Sequence, residues 1–336
     1  MKGKHCAKLE FHGKWERGEV QVDGETIGYT LYEIDARTED QRLENARCKA
    51  LDGYLNVFAP GHGQTAAGAR SLITTIVALS SSKILWSIDV DPPKGGDPTK
   101  AEALIKIIRR KASDELLEGE SQESAELPFL RVRAFGWSHG AAELMRAAEK
   151  DCDLVQQVVG LCPIGLIERP PSELIWSFML ESLRILWDAL RRRDWRTVAR
   201  ALAIGYDIIS GCVFDFLRSK SLWRVIDDIR WASRKVPGGE YDYDGIVVIL
   251  FGRKDTVIRW QDVFPKAKEP SDIEHLLEEY KRRNFPKARG LQVRVLEGNH
   301  IAAEANASYY IKTALDLLDQ ENDLPNTLNV LQNCLL

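Results

Sequence analysis

Residues 134–150, AFGWSHGAAELMRAAEK, place Gly136, Ser138 and Gly140 at alternate positions where an apolar run gives way to an alanine-rich one. A serine hydroxyl is a weak nucleophile until a base takes its proton, so the chemistry turns on which histidine could serve. The chain has His5, His12, His62, His139, His275 and His300. His5 and His12 fall in the first strand region, and His275 sits in SDIEHLLEEYKRR, a charged amphipathic helix, so all three read as surface residues. His139 adjoins the serine, and a side chain there points away from the hydroxyl. His300, in LEGNHIAAEA, follows a strand in a loop that opens towards the last helix, and is the best-placed base.

An acid should orient that imidazole and stabilise its charged form. Asp255, in VVILFGRKDTVI, stands three residues beyond Gly252 at the end of a strand. Most other acids between Ser138 and His300 lie on helices. The glycine-rich run VFAPGHGQTAAGA (57–69) also follows a strand. Such a loop can aim a backbone N–H at a developing oxyanion, paired with the N–H of the residue after the serine. That makes His62 (or Gly63) and His139 the expected donors, acting through the backbone. Neither G-x-x-x-x-G-K-[ST] nor G-x-G-x-x-G occurs, so a nucleotide-phosphate reading of the glycines has no motif behind it. The six cysteines are scattered without a CxxC pair, and no metal or organic cofactor is expected.

These residues need elements to hold them. KLEFHGKWERGEVQV and ETIGYTLYEID read as paired strands around an Asp23-Gly24 turn. Buried strands follow at GYLNVFAP, KILWSIDVD, FLRVRAF, LVQQVVGLCPIG, GIVVILFG and LQVRVLEG. Helices alternate with them at 71–80, from Asp97-Pro98 through TKAEALIKIIRRKA, after Ser138 to about Lys150, and at ASYYIKTALDLLDQ. Strand–helix alternation with glycine-rich loops after the strands predicts a mainly parallel sheet covered on both faces. Between 166 and 239 the alternation stops, and three helical stretches (172–192, 195–218, 221–234) carry five of the nine tryptophans. This block predicts a helical insertion over one end of the sheet, with residues 1–165 and 240–336 forming the core domain.

The 44% hydrophobic and 29% charged content of 336 residues allows both a sizeable core and a soluble surface. A net charge of −4 offers no electrostatic reason to expect nucleic acid as partner. The longest apolar-looking run, LIWSFMLESLRILWDAL (174–190), is broken by Glu181, Arg184 and Asp188, so stable membrane insertion is not expected. Without a secretory pattern at the N-terminus, and with thiols scattered as in reduced cores, the expected location is cytoplasmic.

In chain order the signals run oxyanion loop, Ser138, Asp255, His300, each after a strand. With these residues the chain resembles the α/β-hydrolase superfamily, whose nucleophile, acid and base follow that order. The resemblance covers nearly the whole chain outside the insertion. It implies an eight-stranded, mostly parallel sheet flanked by helices, with 166–239 where that superfamily places its lid. It also implies a Ser–His–Asp triad of Ser138, His300 and Asp255. The loop reads PGHG where many members have His-Gly, so the first oxyanion donor is His62 or Gly63. Serine at 138 disfavours the branches with an aspartate nucleophile. The expected activity is hydrolysis of carboxylic esters with apolar bulk, with Gly61, Gly63, Trp137, Trp176 and Trp187 facing the substrate. Thioesterase, acyltransferase or C–C bond hydrolase chemistry on the same triad, or non-catalytic ligand binding, are the alternatives. The oligomeric state has no signature in the sequence.

Overall fold

The computed structural model describes residues 12–37, 54–62, 64–116, 131–195, 222–235 and 241–333, with single positions and short runs between 197 and 217. Gly63 and half of the 195–218 stretch, for which a helix is predicted, lie outside the described residues. Eight strands form one sheet: β1 (His12–Val22), β2 (Glu25–Asp35), β3 (Leu55–Ala59), β4 (Ile84–Val90), β5 (Val132–Trp137), β6 (Val155–Leu161), β7 (Ile246–Gly252) and β8 (Gly290–Leu296). Their order is β1-β2-β4-β3-β5-β6-β7-β8. The β1–β2 hairpin and the β2–β4 pair are antiparallel, and the ladders from β4 through β3 to β8 are all parallel.

The strand sequences explain the arrangement. In β7, IVVILFG, every residue is buried. Val247, Ile249 and Phe251 enter the core on one face, while Ile246, Val248 and Leu250 enter the core on the other. A strand apolar on both sides needs helices on both sides. One face is covered by α1 (Arg70–Leu79) and α9 (Ala307–Asn333), which contribute Leu72, Ile76, Tyr310 and Ile311. The other is covered by α2 (Asp97–Leu116) and α3 (His139–Lys150), through Leu104, Ile108, Leu144 and Met145.

Between β6 and β7 the described helices are α4 (Pro171–Arg191) and α5 (Leu222–Ala232). They agree with the first and third helical stretches read from the sequence. Past β7 come the short α6 (Trp260–Val263), the charged helix α7 (Ile273–Asn284) that carries exposed His275, and α8 (Ala302–Ala305) after β8. Loops that leave the carboxyl ends of β3, β5, β7 and β8 therefore open at one edge of the parallel sheet, where open α/β sheets hold their ligands.

Candidate active site

Ser138 is the hinge between β5 and α3. Its backbone sits at φ 53° and ψ −114°, a left-handed conformation that costs a residue with a Cβ on the order of 1–3 kcal/mol. The surroundings hold it there: the Ser138 N–H donates to the Leu161 carbonyl at 2.9 Å, and its own carbonyl accepts from Ala141 and Ile164. The turn aims the hydroxyl at His300, which lies between β8 and α8.

His300 Nε2 is 2.9 Å from Ser138 Oγ, and His300 Nδ1 is 2.9 Å from Asp255 Oδ2. Asp255 Oδ1 accepts the backbone N–H groups of Val257 and Ile258, both at 2.8 Å. The carboxylate is thereby fixed on one side, leaving Oδ2 for the imidazole. This assigns Nδ1–H as donor to Asp255 and Nε2 as acceptor from the serine. Trp137 braces the same loop, its indole N–H donating to the His300 carbonyl at 3.2 Å. The three residues singled out by type and spacing therefore meet in one hydrogen-bonded chain, able to generate a nucleophilic alkoxide.

A fourth residue joins them whose place in the sequence shows only a charge interrupting an apolar run. Glu181, buried on α4, accepts the His300 backbone N–H on Oε1 at 2.6 Å. Its Oε2 accepts both the N–H and the hydroxyl of Thr256, each at 2.6 Å. One carboxylate from the β6–β7 helices thus ties the acid loop to the base loop. Burial disfavours the His300 imidazolium, but the charge and hydrogen bond of Asp255 and the charge of Glu181 together outweigh it, holding the His300 pKa above its ordinary value.

That balance gives a sign. Activity that needs neutral His300 falls as pH drops through its raised pKa. Glu181→Gln removes one anion beside the imidazolium, so the acidic limb of the kcat/KM profile should move to lower pH. A glutamine amide facing the Thr256 N–H also leaves donors opposed, so Tm should fall, by an amount corresponding to about 1–3 kcal/mol. A lower Tm with an unmoved pH profile would show that Glu181 acts on the fold alone.

No protein-family profile and no curated protein matches the chain at the sequence level. Solved structures do. A bacterial membrane phospholipase A superposes with a TM-score of 0.54 at 12% identity, over 92% of this chain and 87% of its own. An enol-lactonase from Burkholderia xenovorans LB400 gives 0.52 at 13% identity, over 90% of this chain and 100% of its own. An α/β-hydrolase fold protein from Chitinophaga pinensis gives 0.52 at 12% identity, over 90% and 96%. The chain has the α/β-hydrolase fold.

In this α/β-hydrolase fold a cavity of about 290 Å³ opens over Ser138 and His300. Gly61, His62 and Trp137 line its floor, and Ile164, Leu174, Ile175, Phe178, Met179, Ile229 and Val257 supply apolar walls. Of the residues expected to face substrate, Gly61 and Trp137 line this cavity. Trp176 and Trp187 are 60% and 68% exposed and stand outside its lining, which corrects their placement in the pocket. Helical phase is the reason. Positions 174, 175, 178 and 179 share the face of α4 that meets the cavity, whereas 176, 180, 183 and 187 follow an adjacent, outward stripe.

The loop after β3 is pressed on the serine turn. A Cβ on Gly61 would stand 2.8 Å from the Trp137 ring and 3.5 Å from Ser138 Cβ. His139, directly after the serine, opens α3, which puts its backbone N–H at the helix N-terminus. The side chains of His62 and His139 converge on one buried carboxylate, Asp228 of α5. His62 Nδ1 is 3.1 Å and His139 Nδ1 is 3.9 Å from Asp228 Oδ2. Lys100 Nζ lies 2.9 Å from both Asp228 and Glu143. Burial opposes the Asp228 charge, but Lys100, His139 and His62 more than offset it and hold its pKa well below the carboxylate range.

Two sets of side chains have the donor types and spacing for a metal ion: His62, His139 and Asp228, and Cys162, Asp255 and His300. In the first, the Lys100 ammonium already supplies a cation to Asp228 and Glu143. In the second, both His300 ring nitrogens are engaged by Asp255 and Ser138. Cys162 has a thiol pushed well above its ordinary pKa by burial, reinforced by the Asp255 charge, so it is an inert neighbour of the acid. Asp228, Lys100 and Glu143 carry no signal in the sequence beyond the i,i+4 spacing of His139 and Glu143 on α3.

Proposed function

We propose that the chain is a serine hydrolase acting on carboxylic esters with apolar bulk. The observation that carries this reading is the continuous relay Asp255–His300–Ser138, with 2.9 Å at each step, ending on a serine held in a left-handed turn at the mouth of an apolar cavity. Ser138 Oγ attacks the acyl carbon as His300 Nε2 takes its proton. The tetrahedral oxyanion is received by the backbone N–H of His139 and of His62 (or Gly63). Collapse breaks the bond to the alcohol, which leaves with the proton from His300 and gives an acyl-Ser138. Water, deprotonated by His300, releases the acid and restores the serine. Asp255 keeps the imidazole in the productive tautomer throughout, and the mechanism calls for no metal or organic cofactor.

Two of the structures with this fold are named as a phospholipase A and an enol-lactonase, which supports an ester-type bond. The cavity walls support the apolar preference. In this reading residues 166–239 act as a lid, since α4 and α5 supply Leu174, Phe178, Met179 and Ile229 to the cavity and Glu181 to the loops below.

A fluorophosphonate tests the reading, because its tetrahedral phosphorus adduct resembles the acyl-transfer intermediate. Peptide mapping should place one adduct on Ser138, absent in Ser138→Ala and slowed in His300→Ala. Failure of the folded wild type to take up a small, uncrowded probe would leave ligand binding without turnover as the better account.

A further inference from the structure

The outward stripe of α4 has no role in the mechanism. Trp176, Leu180, Leu183 and Trp187 are 60%, 48%, 60% and 68% exposed, and Trp195 and Trp223 beyond it are 67% and 69% exposed. The helix does not need this face for packing, since Leu174, Phe178, Glu181 and Ala189 anchor it on its other side. A contiguous run of large apolar side chains at i, i+4, i+7 and i+11 marks a surface made to be covered.

Charge indicates what covers it. Residues 166–239 contain 13 Lys and Arg against 9 Asp and Glu, a net +4, so the rest of a chain with net charge −4 carries −8. Arg184, Arg191, Arg192 and Arg193 are exposed on and just beyond α4, beside the tryptophans. A second copy docked face to face would bring two positive segments together around a two-fold axis. A transmembrane role is also unsuited, because among the described residues no helix is long and apolar enough to cross a membrane. Tryptophan and leucine on one face with arginines at its border suit the boundary between lipid headgroups and acyl chains.

We infer that the outward face of α4 docks on an anionic bilayer surface, lying in the interface without spanning it. Ile175 and Met179 are at once half exposed and part of the cavity wall, so the mouth over Ser138 opens beside the docked face. Docking would present that mouth to the acyl region of the lipid. The inference extends the hydrolase reading to a source of substrate, but binding itself is measured without turnover, so either can fail alone.

The test uses full-length Ser138→Ala protein and sedimentation with vesicles of phosphatidylcholine, alone or mixed with phosphatidylglycerol. Binding is expected to the mixed vesicles, to weaken on pure phosphatidylcholine, and to be lost at high salt. Tryptophan emission should shift to the blue on binding and be quenched by brominated acyl chains. The double variant Trp176→Ser/Trp187→Ser should lower partitioning roughly tenfold or more. Arg191→Glu/Arg192→Glu should lower it on the mixed vesicles by a similar factor; made in the wild-type background, the same pair should leave fluorophosphonate uptake intact. Both pairs are exposed, and circular dichroism would verify their folding. No binding to either vesicle, or binding unchanged in both variants, would overturn the inference. So would a stable dimer in sedimentation velocity that Trp176→Ser/Trp187→Ser dissociates, since the face would then be covered by a second copy.

Discussion

Asp255→Asn is expected to lower kcat about 10⁴-fold while the protein remains folded. The geometry dictates the sense of the effect. Asp255 Oδ1 accepts two backbone N–H groups, from Val257 and Ile258 at 2.8 Å each. In the asparagine variant the amide oxygen must keep that place, because an NH2 there would face two donors. The NH2 is then turned towards His300 Nδ1, 2.9 Å from where Oδ2 stood. Nδ1 must become the acceptor, which puts the ring proton on Nε2, facing Ser138. The base is present and correctly placed, but in the wrong tautomer. His300→Ala should lose about 10⁴–10⁶-fold, as removal of the base itself, and exposed His275→Ala on α7 should change nothing. A 10⁴-fold loss is about 5.5 kcal/mol of transition-state stabilisation, too large to be mistaken for a packing change. Melting curves would verify folding, and retained turnover in Asp255→Asn would remove Asp255 from the mechanism.

The serine and its partners are legible in the sequence because chemistry restricts their residue types and the sheet restricts their positions. A nucleophile between two glycines at a strand–helix junction, and an acid and a histidine each just after an apolar run, are local patterns. Once the strands are parallel, those patterns converge at one edge without further information. The core is legible for a similar reason: β7 is apolar at every position, and a strand of that kind has only one kind of place to go.

Glu181 and Asp228 are not legible, because their roles are set by contacts distant in sequence. Glu181 reaches His300 across 119 positions and Asp228 reaches Lys100 across 128. In the sequence Glu181 is a charge interrupting an apolar run and Asp228 an acid among charged neighbours, and neither pattern names a distant partner. Burial depends on how α4 and α5 seat on the sheet, which local periodicity does not encode. Trp176 and Trp187 fail for the complementary reason. Periodicity shows that α4 has two apolar stripes, but only docking decides which one meets the cavity, and the stripe holding Leu174 and Phe178 does. The tryptophans look like pocket residues by type and are surface residues by phase.

Gly140→Ala should be among the most damaging single-methyl changes in the chain. An alanine Cβ at 140 would lie 2.2 Å from the Ala59 carbonyl oxygen and 2.3 Å from that of Pro60, both backbone atoms. Neither can swing aside as a side chain would, so the first turn of α3 and the end of β3 must separate. These two segments adjoin Ser138 and His62, and separating them opens the serine turn towards the loop after β3. The expected cost is about 3 kcal/mol or more in stability, the upper end for overpacking a rigid site. The remaining folded protein should also label slowly with fluorophosphonate, since a shift of about 1 Å in a reacting group can cost about 10²-fold in rate. Gly205 provides the control. It lies in the β6–β7 helical stretch, and a Cβ added there would meet no heavy atom within 4 Å, so alanine adds helix propensity without a clash. Gly205→Ala should leave Tm equal or raised and labelling unchanged. Were Gly140→Ala to melt and label like the wild type, the close approach of β3 to α3 would not be what holds the serine turn, and the left-handed conformation of Ser138 would rest on its backbone hydrogen bonds with Leu161, Ala141 and Ile164.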